Sequence, residues 1–167
     1  ATPMLVASGQ GHTEVVKLLL SQPGVDPNQA NNDGWTPLMQ ATWNEHEDVA
    51  GWLLSLDGID VNKALNGENE GCGPLLAACH KGHEGLVRLL LSHPDIDANQ
   101  EILKSGGTPL HVTCQHGKDS VILKLLLAQA GVDANQACKN DSIGATPLIF
   151  AAYYGKPFCV SVLLDHG

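Results

Sequence analysis

The pair Thr-Pro returns along this chain at a near-constant interval, and no other feature restricts the fold as tightly. Thr2-Pro3-Met4, Thr36-Pro37-Leu38, Gly73-Pro74-Leu75, Thr108-Pro109-Leu110 and Thr146-Pro147-Leu148 set their prolines 34, 37, 35 and 38 residues apart. A second marker follows each: Gly11-His12, Glu45-His46, Gly82-His83, Gly117-Lys118 or Gly155-Lys156. Then comes an apolar run: VVKLLL (15–20), VAGWLL (49–54), LVRLLL (86–91), VILKLLL (121–127) and CVSVLL (159–164). Four units close with VDPN (25–28), IDVN (59–62), IDAN (96–99) and VDAN (132–135). A period of this size is one supersecondary unit too small to bury its own apolar face, so copies of it must stack.

The chemistry of the markers assigns each a place. Proline suits a first helical turn, where its missing N–H costs nothing and its fixed φ is already helical. The threonine before it can cap exposed amides with its hydroxyl. Each short helix from proline to turn carries small residues such as Ala7, Ala41, Ala78 or Ala151, which allow close helix packing. Glycine at the turn step accepts the left-handed backbone between two antiparallel helices. The apolar run presents leucines at helical spacing to a core, and Asp-x-Asn with the polar stretch after it makes a turn. The spacing predicts one domain, 1–167, of five units at 2–35, 36–72, 73–107, 108–145 and 146–167, the last incomplete.

Helix, turn, helix and protruding loop at this period resembles the ankyrin repeat, whose signature is a T-P-L-H-x-A run, a G-H step, an L-L-L run and a G-A-D-V-N close. TPLH is intact at 108–111, and GHTEVVKLLL (11–20) lies close to the family pattern. The resemblance implies an all-α solenoid of ten helices with protruding hairpin loops. It implies that His111 is structural, bonding between neighbouring loops, and that His12, His46 and His83 bridge adjacent units. It also implies a protein-binding concave groove along hairpin tips and first helices. Registering the units puts Gly9 and Gln10, Trp35, Trp43 and Asn44, His80 and Lys81, Gln115 and His116, and Tyr153 and Tyr154 in that groove. Asn28, Asn62, Asn99 and Asn135 each follow a leucine in the form L-x5-D-x-N. Similar asparagines in animal ankyrin proteins are substrates of the asparaginyl hydroxylase that modifies hypoxia-inducible factor. Their structural reading is that each side chain ties the turn to its own backbone.

One stretch, HVTCQHG (111–117), invites a chemical reading. At about 100° per residue, His111 and Cys114 share a helix face while His116 points about 140° away from His111. The three or four convergent ligands of a zinc site are not supplied. Cys79 and Cys114 hold one register position in units three and four. Packed helices lie roughly 8–10 Å apart, beyond the disulfide reach of about 7 Å, so both are expected as buried thiols. Glu45, Glu47 and Asp48 fall at a turn and a helix start, where acids suit the dipole. The segments GCG and SGG follow no strand and lack a phosphate-loop pattern. No catalytic, cofactor-binding or metal constellation is expected.

Composition narrows the partner. A net charge of −9 argues against nucleic acid, which needs a basic face. No apolar run approaches the eighteen residues of a membrane span. ATPMLVASGQG has neither the basic nor the apolar region of a secretory leader. Five cysteines without a CxxC pair read as reduced thiols of an intracellular, cytoplasmic protein. Residues 1–72 hold ten acids against Lys17 and Lys63, a balance of −8, whereas residues 73–167 hold eight acids against seven bases.

A monomeric, non-catalytic scaffold is therefore expected, taking a protein or peptide with a basic rim and an apolar anchor on Trp35 and Trp43. Trp52, inside an apolar run, is expected in the core. The alternative is a targeting or regulatory segment of a larger enzyme or channel. Phe158, Val160 and Val162 to Leu164 do not make the polar cap that ends a repeat stack, which suggests a piece of a longer array or protein.

Overall fold

The computed structural model describes residues 2–67, 70–116, 121–140 and 143–166; Glu68 and the Gly117-Lys118 step lie outside the described residues. Among the described residues there are ten helices and no strand. In chain order they are α1 (Pro3–Gly9), α2 (Thr13–Leu20), α3 (Pro37–Trp43), α4 (Glu47–Leu54), α5 (Pro74–Lys81), α6 (Glu84–Leu91), α7 (Pro109–His116), α8 (Val121–Leu127), α9 (Pro147–Tyr153) and α10 (Pro157–His166).

The Thr-Pro pairs start the first helices as their chemistry demands. The hydroxyls of Thr2, Thr36 and Thr146 accept from the amides of Leu5, Met39 and Ile149 at 3.3, 3.0 and 3.4 Å. Gly73 takes the same place without a cap. A Cβ there would collide with the carboxamide of Gln100, which donates to the Asn62 carbonyl at 2.6 Å. At the turn between helices, Gly11, Gly82 and Gly155 adopt φ of 76°, 73° and 62°. Glu45 does the same at 64°, a conformation that crowds any side-chain-bearing residue.

Odd-numbered helices stack on one another and even-numbered helices do likewise, with each pair packed internally, giving two layers. Leucines of both layers, among them Leu38, Leu75, Leu110, Leu53, Leu90 and Leu126, are fully buried between them. Each such burial stabilises by about 1.5–3 kcal/mol. Trp52 is half-buried and packs against this core, so the expectation for it holds only in part.

Hairpin loops leave the stack between helix pairs. Their closing bonds run from Asn31 N to Trp35 O (3.0 Å), Leu65 N to Cys72 O (3.0 Å), Ile102 N to Gly107 O (2.9 Å) and Cys138 N to Ala145 O (2.9 Å). Neighbouring hairpins join backbone to backbone, Asn66 N to Asp33 O and Leu103 N to Glu70 O, each at 2.9 Å.

The Asp-x-Asn turns correct one expectation. The aspartate, not the asparagine, closes the turn on itself: Asp26 Oδ1 accepts from Asn28 N at 2.8 Å and Asp97 Oδ1 from Asn99 N at 2.9 Å. The asparagine amide reaches the next repeat instead. Asn28 donates to Gly58 O and accepts from Asp60 N, both at 2.8 Å. Asn62 repeats this with Asp95 O at 2.7 Å and Asp97 N at 2.9 Å. Asn99 donates to Gly131 O at 2.9 Å. Among the described residues, Asn135 has only the bond of its own turn, from its backbone N–H to Asp133 Oδ1 at 2.8 Å. The aspartate, which only accepts, takes the amide two residues on; the asparagine, of equal length, carries both a donor and an acceptor outward.

Candidate protein-binding cleft

In each first helix, the residues three, six and seven places after the proline face away from the second layer, toward the hairpins. The sixth place holds Gly9, Trp43, His80, Gln115 and Tyr153, and the seventh holds Gln10, Asn44, Lys81, His116 and Tyr154. Trp35 comes from the hairpin opposite, where the carboxamide of Asn31 accepts from its backbone N–H at 2.9 Å.

The structure brings four of these rings into one run. Trp35 and Trp43 meet edge-to-face, centroids 5.9 Å apart. Trp43 stacks on His80 at 5.8 Å with planes 10° apart, and His80 meets His116 edge-on at 4.3 Å. The Lys81 ammonium stands 4.7 Å over the Trp43 ring. The tryptophans are half-buried rather than free on the surface, because they wrap a small second core of Met39, Leu65 and Ala77. They keep one side for the cluster and one for the cleft.

Beside these rings lies an apolar pocket of about 180 Å³, lined by Trp35, Trp43, Leu65, Cys72, Leu76, His80, Ile102 and Val112. Sequence reasoning missed Ile102 and Val112. The legible signal was Val112 at the third place after its proline, where Ala77 of the preceding repeat is small. Burial pushes the Cys72 thiol up to about 11.

The remaining candidates do not join this run. Tyr153 and Tyr154 form a separate edge-to-face pair at 5.0 Å, and Gln115 Nε2 donates to the Tyr154 hydroxyl at 3.0 Å. Asn44 folds back on its own helix, donating to Gln40 O at 2.9 Å. Gly9 lies beside the Gln40 side chain, and Gln10 is exposed.

The histidines sort by partner. His46 Nε2 donates to Gly9 O at 3.0 Å and His83 Nδ1 lies 3.3 Å from Glu47 Oε1, so both bridge repeats. His12 is exposed and has no such bond. His111 and Cys114 are buried while His116 is exposed and turned to His80, so the three do not converge. His111 Nε2 donates to Ala145 O at 3.1 Å, linking its helix to the next hairpin. The Cys114 thiol is pushed up by its hydrogen bond with Cys159 and by burial. Burial takes Cys79 up to about 12, against the lowering effect of Thr113.

The charges are sorted by face. Of the acids in residues 1–72, Glu14, Glu47 and Asp48 lie in the second helices, and Asp26, Asp57 and Asp60 in the loops after them. Asp33 and Glu70 sit in hairpins, Glu45 in a turn, and none of the described acids lines the pocket. Summing over a segment hides this, since adjacent residues face opposite layers. Beside the ring run stands the Lys81 ammonium. His116 is held below the usual histidine range by burial first, then by His80 and Lys156.

A protein-family model described as ankyrin repeats (3 copies) matches residues 1–64 and 75–167. The chain belongs to the ankyrin-repeat family. Over 63 residues it is 48% identical to protein phosphatase 1 regulatory subunit 12A of Mus musculus, and equally to that of Rattus norvegicus. The alignment covers 38% of this chain and 6% of each relative. This ankyrin-repeat chain thus matches only a small part of the curated relatives. Ankyrin repeats bind other proteins. Among the described residues no helix is long and apolar enough to cross a membrane.

Proposed function

We propose that this chain is a non-catalytic, monomeric protein-binding segment whose partner docks over the second to fourth ankyrin repeats. The observation that carries this reading is the run of Trp35, Trp43, His80 and His116 beside an apolar pocket. Packing between repeats does not demand aromatic rings at these places, since the same register holds Gly9 and Gln115 elsewhere. Half-exposed aromatics in a concave setting are the commonest interface anchors. The similarity to a phosphatase regulatory subunit supports a second, compatible form, in which the segment targets or regulates an activity carried by a larger protein.

Capture of partners from a lysate, read by mass spectrometry, tests the reading when the native chain is compared with Trp43→Ala, His80→Ala and Tyr153→Ala. Circular dichroism first establishes that each variant is folded. Loss of a buried aromatic anchor costs about 2 kcal/mol or more, so Trp43→Ala should weaken the captured partner about thirtyfold. Tyr153→Ala should bind normally. Unchanged capture by Trp43→Ala and His80→Ala, with loss only in Tyr153→Ala, moves the site to the other end of the stack.

A further inference from the structure

The pocket is small, and no acid lines it. About 180 Å³ lies below the roughly 300–1,000 Å³ of small-molecule sites but exceeds the about 150 Å³ that holds a benzene ring. It fits one side chain of a larger partner. Its walls are indole, isopropyl and isobutyl surface, with the His80 ring at one end.

Lys81 stands over Trp43 at this site, and no carboxylate among the described residues pairs with it. The ion pairs present take Lys17, His83, Arg88 and Lys139 instead. Lys104, Lys124 and Lys156 likewise have no ion pair among the described residues, so what sets Lys81 apart is its place over the Trp43 ring beside the pocket. His116 is held below the usual histidine range by desolvation first and then by His80 and Lys156, which favours its neutral ring, so it meets a carboxylate as an N–H donor. The first-helix side of the cleft thus offers the Lys81 ammonium together with N–H donors on the His80 and His116 rings, and none of the described acids lines the pocket.

We infer that the cleft receives an acidic segment of its partner. A branched aliphatic or single-ring side chain fills the Trp35–Trp43 pocket, and carboxylates following it in the same chain lie along Lys81, His80 and His116. This inference rests on the protein-binding reading above and names the chemistry of its partner. Apolar burial supplies the anchor, while the carboxylates set direction and association rate along the rim.

Three synthetic peptides in one Gly/Ser frame test it, with binding followed by tryptophan fluorescence and by anisotropy of a terminal dye. The first carries one Leu followed by three Glu, the second one Leu followed by three Lys, and the third Ser followed by three Glu. The first should bind at least about tenfold more tightly than either other, and weaken as salt rises. Lys81→Glu, an exposed substitution that leaves the core untouched, should remove that preference. Equal or tighter binding of the Lys peptide, or an unchanged preference in Lys81→Glu, overturns the acidic partner while leaving a protein-binding cleft in place. Equal binding of the Ser peptide overturns the pocket as anchor. Should no peptide bind at millimolar concentration, the inference fails; the protein-binding reading fails with it only if Trp43→Ala also captures partners normally.

Discussion

His111 is buried, and its two nitrogens have different tasks. Nδ1 accepts from the Thr108 amide at 3.2 Å, which leaves the ring proton on Nε2 for the Ala145 carbonyl at 3.1 Å. Protonating Nδ1 would break the first bond, and burial opposes the charge. Burial holds its pKa below the ordinary 6.5, against the opposing effect of the hydrogen bond to Ala145. A group whose folded pKa is lowered binds its proton more readily in the unfolded chain. The stability it contributes is full above about pH 6.5 and is lost as pH falls from there toward the folded value. Thermal unfolding of the native chain should therefore weaken between about pH 7 and about pH 5 more than that of His111→Gln. At neutral pH the variant should be less stable by about 1–3 kcal/mol, the cost of buried groups left without partners. Parallel pH profiles for the two proteins would remove His111 from this role. Glu45 is a residue-scale strain of the opposite kind. Its φ of 64° costs about 1–2 kcal/mol in a residue with a Cβ, against about 0.4–1 kcal/mol of extra unfolded-chain freedom in glycine. Glu45→Gly should stabilise by about 0.5–1 kcal/mol in urea denaturation; a destabilised variant would show that its side chain makes a contact worth more than the strain.

At the scale of the element, the loops are joined by asparagines rather than closed by them. Asn62 holds Asp95 O and Asp97 N together across two repeats, and each bond contributes about 0.5–1.5 kcal/mol net. Asn62→Ala should cost about 1–3 kcal/mol in equilibrium unfolding, whereas Asn135→Ala, which removes no such bridge, should stay within about 0.5 kcal/mol. Equal costs would mean that the asparagines act within their own turns after all. This division was not legible in the sequence, because Asp-x-Asn offers two short amide-seeking side chains and only the neighbouring loop decides which turns outward. The first helices were legible because Thr and Pro act on the turn they belong to, and the register they set predicted the places of Trp43, His80 and His116. The pocket as a whole was not, since Ile102 and Val112 come from the repeats that follow the tryptophans.

The whole molecule is a line of helix pairs, each packed chiefly on its neighbours, and stability in such an array is a sum of local and neighbour contributions. The third repeat has neighbours on both sides, and α5 buries Pro74 through Cys79 without interruption. At the ends, α2 buries only Val16 and α10 only Cys159 and Leu163. Leu18, Phe158 and Leu164 are 66%, 68% and 63% exposed, so apolar surface that stabilises the middle repeats does little at the ends. The 167-residue chain should therefore open from its ends inward. Native-state hydrogen exchange should find amides of α5 and α6 at least about a hundredfold more protected than those of α2 and α10, with α3, α4, α7 and α8 between. The rings of the cleft stand on α3, α5 and α7, the better-protected part of that gradient, so the site is held in its binding geometry while the ends fluctuate. That arrangement spares a partner the cost of ordering the cleft. It also sets a check: in the presence of a bound partner, protection should rise little in α5, already near the global limit, and more in α3 and α7. Uniform protection across all ten helices would show a single all-or-none unit, and the gradient, with the preorganisation argued from it, would be wrong.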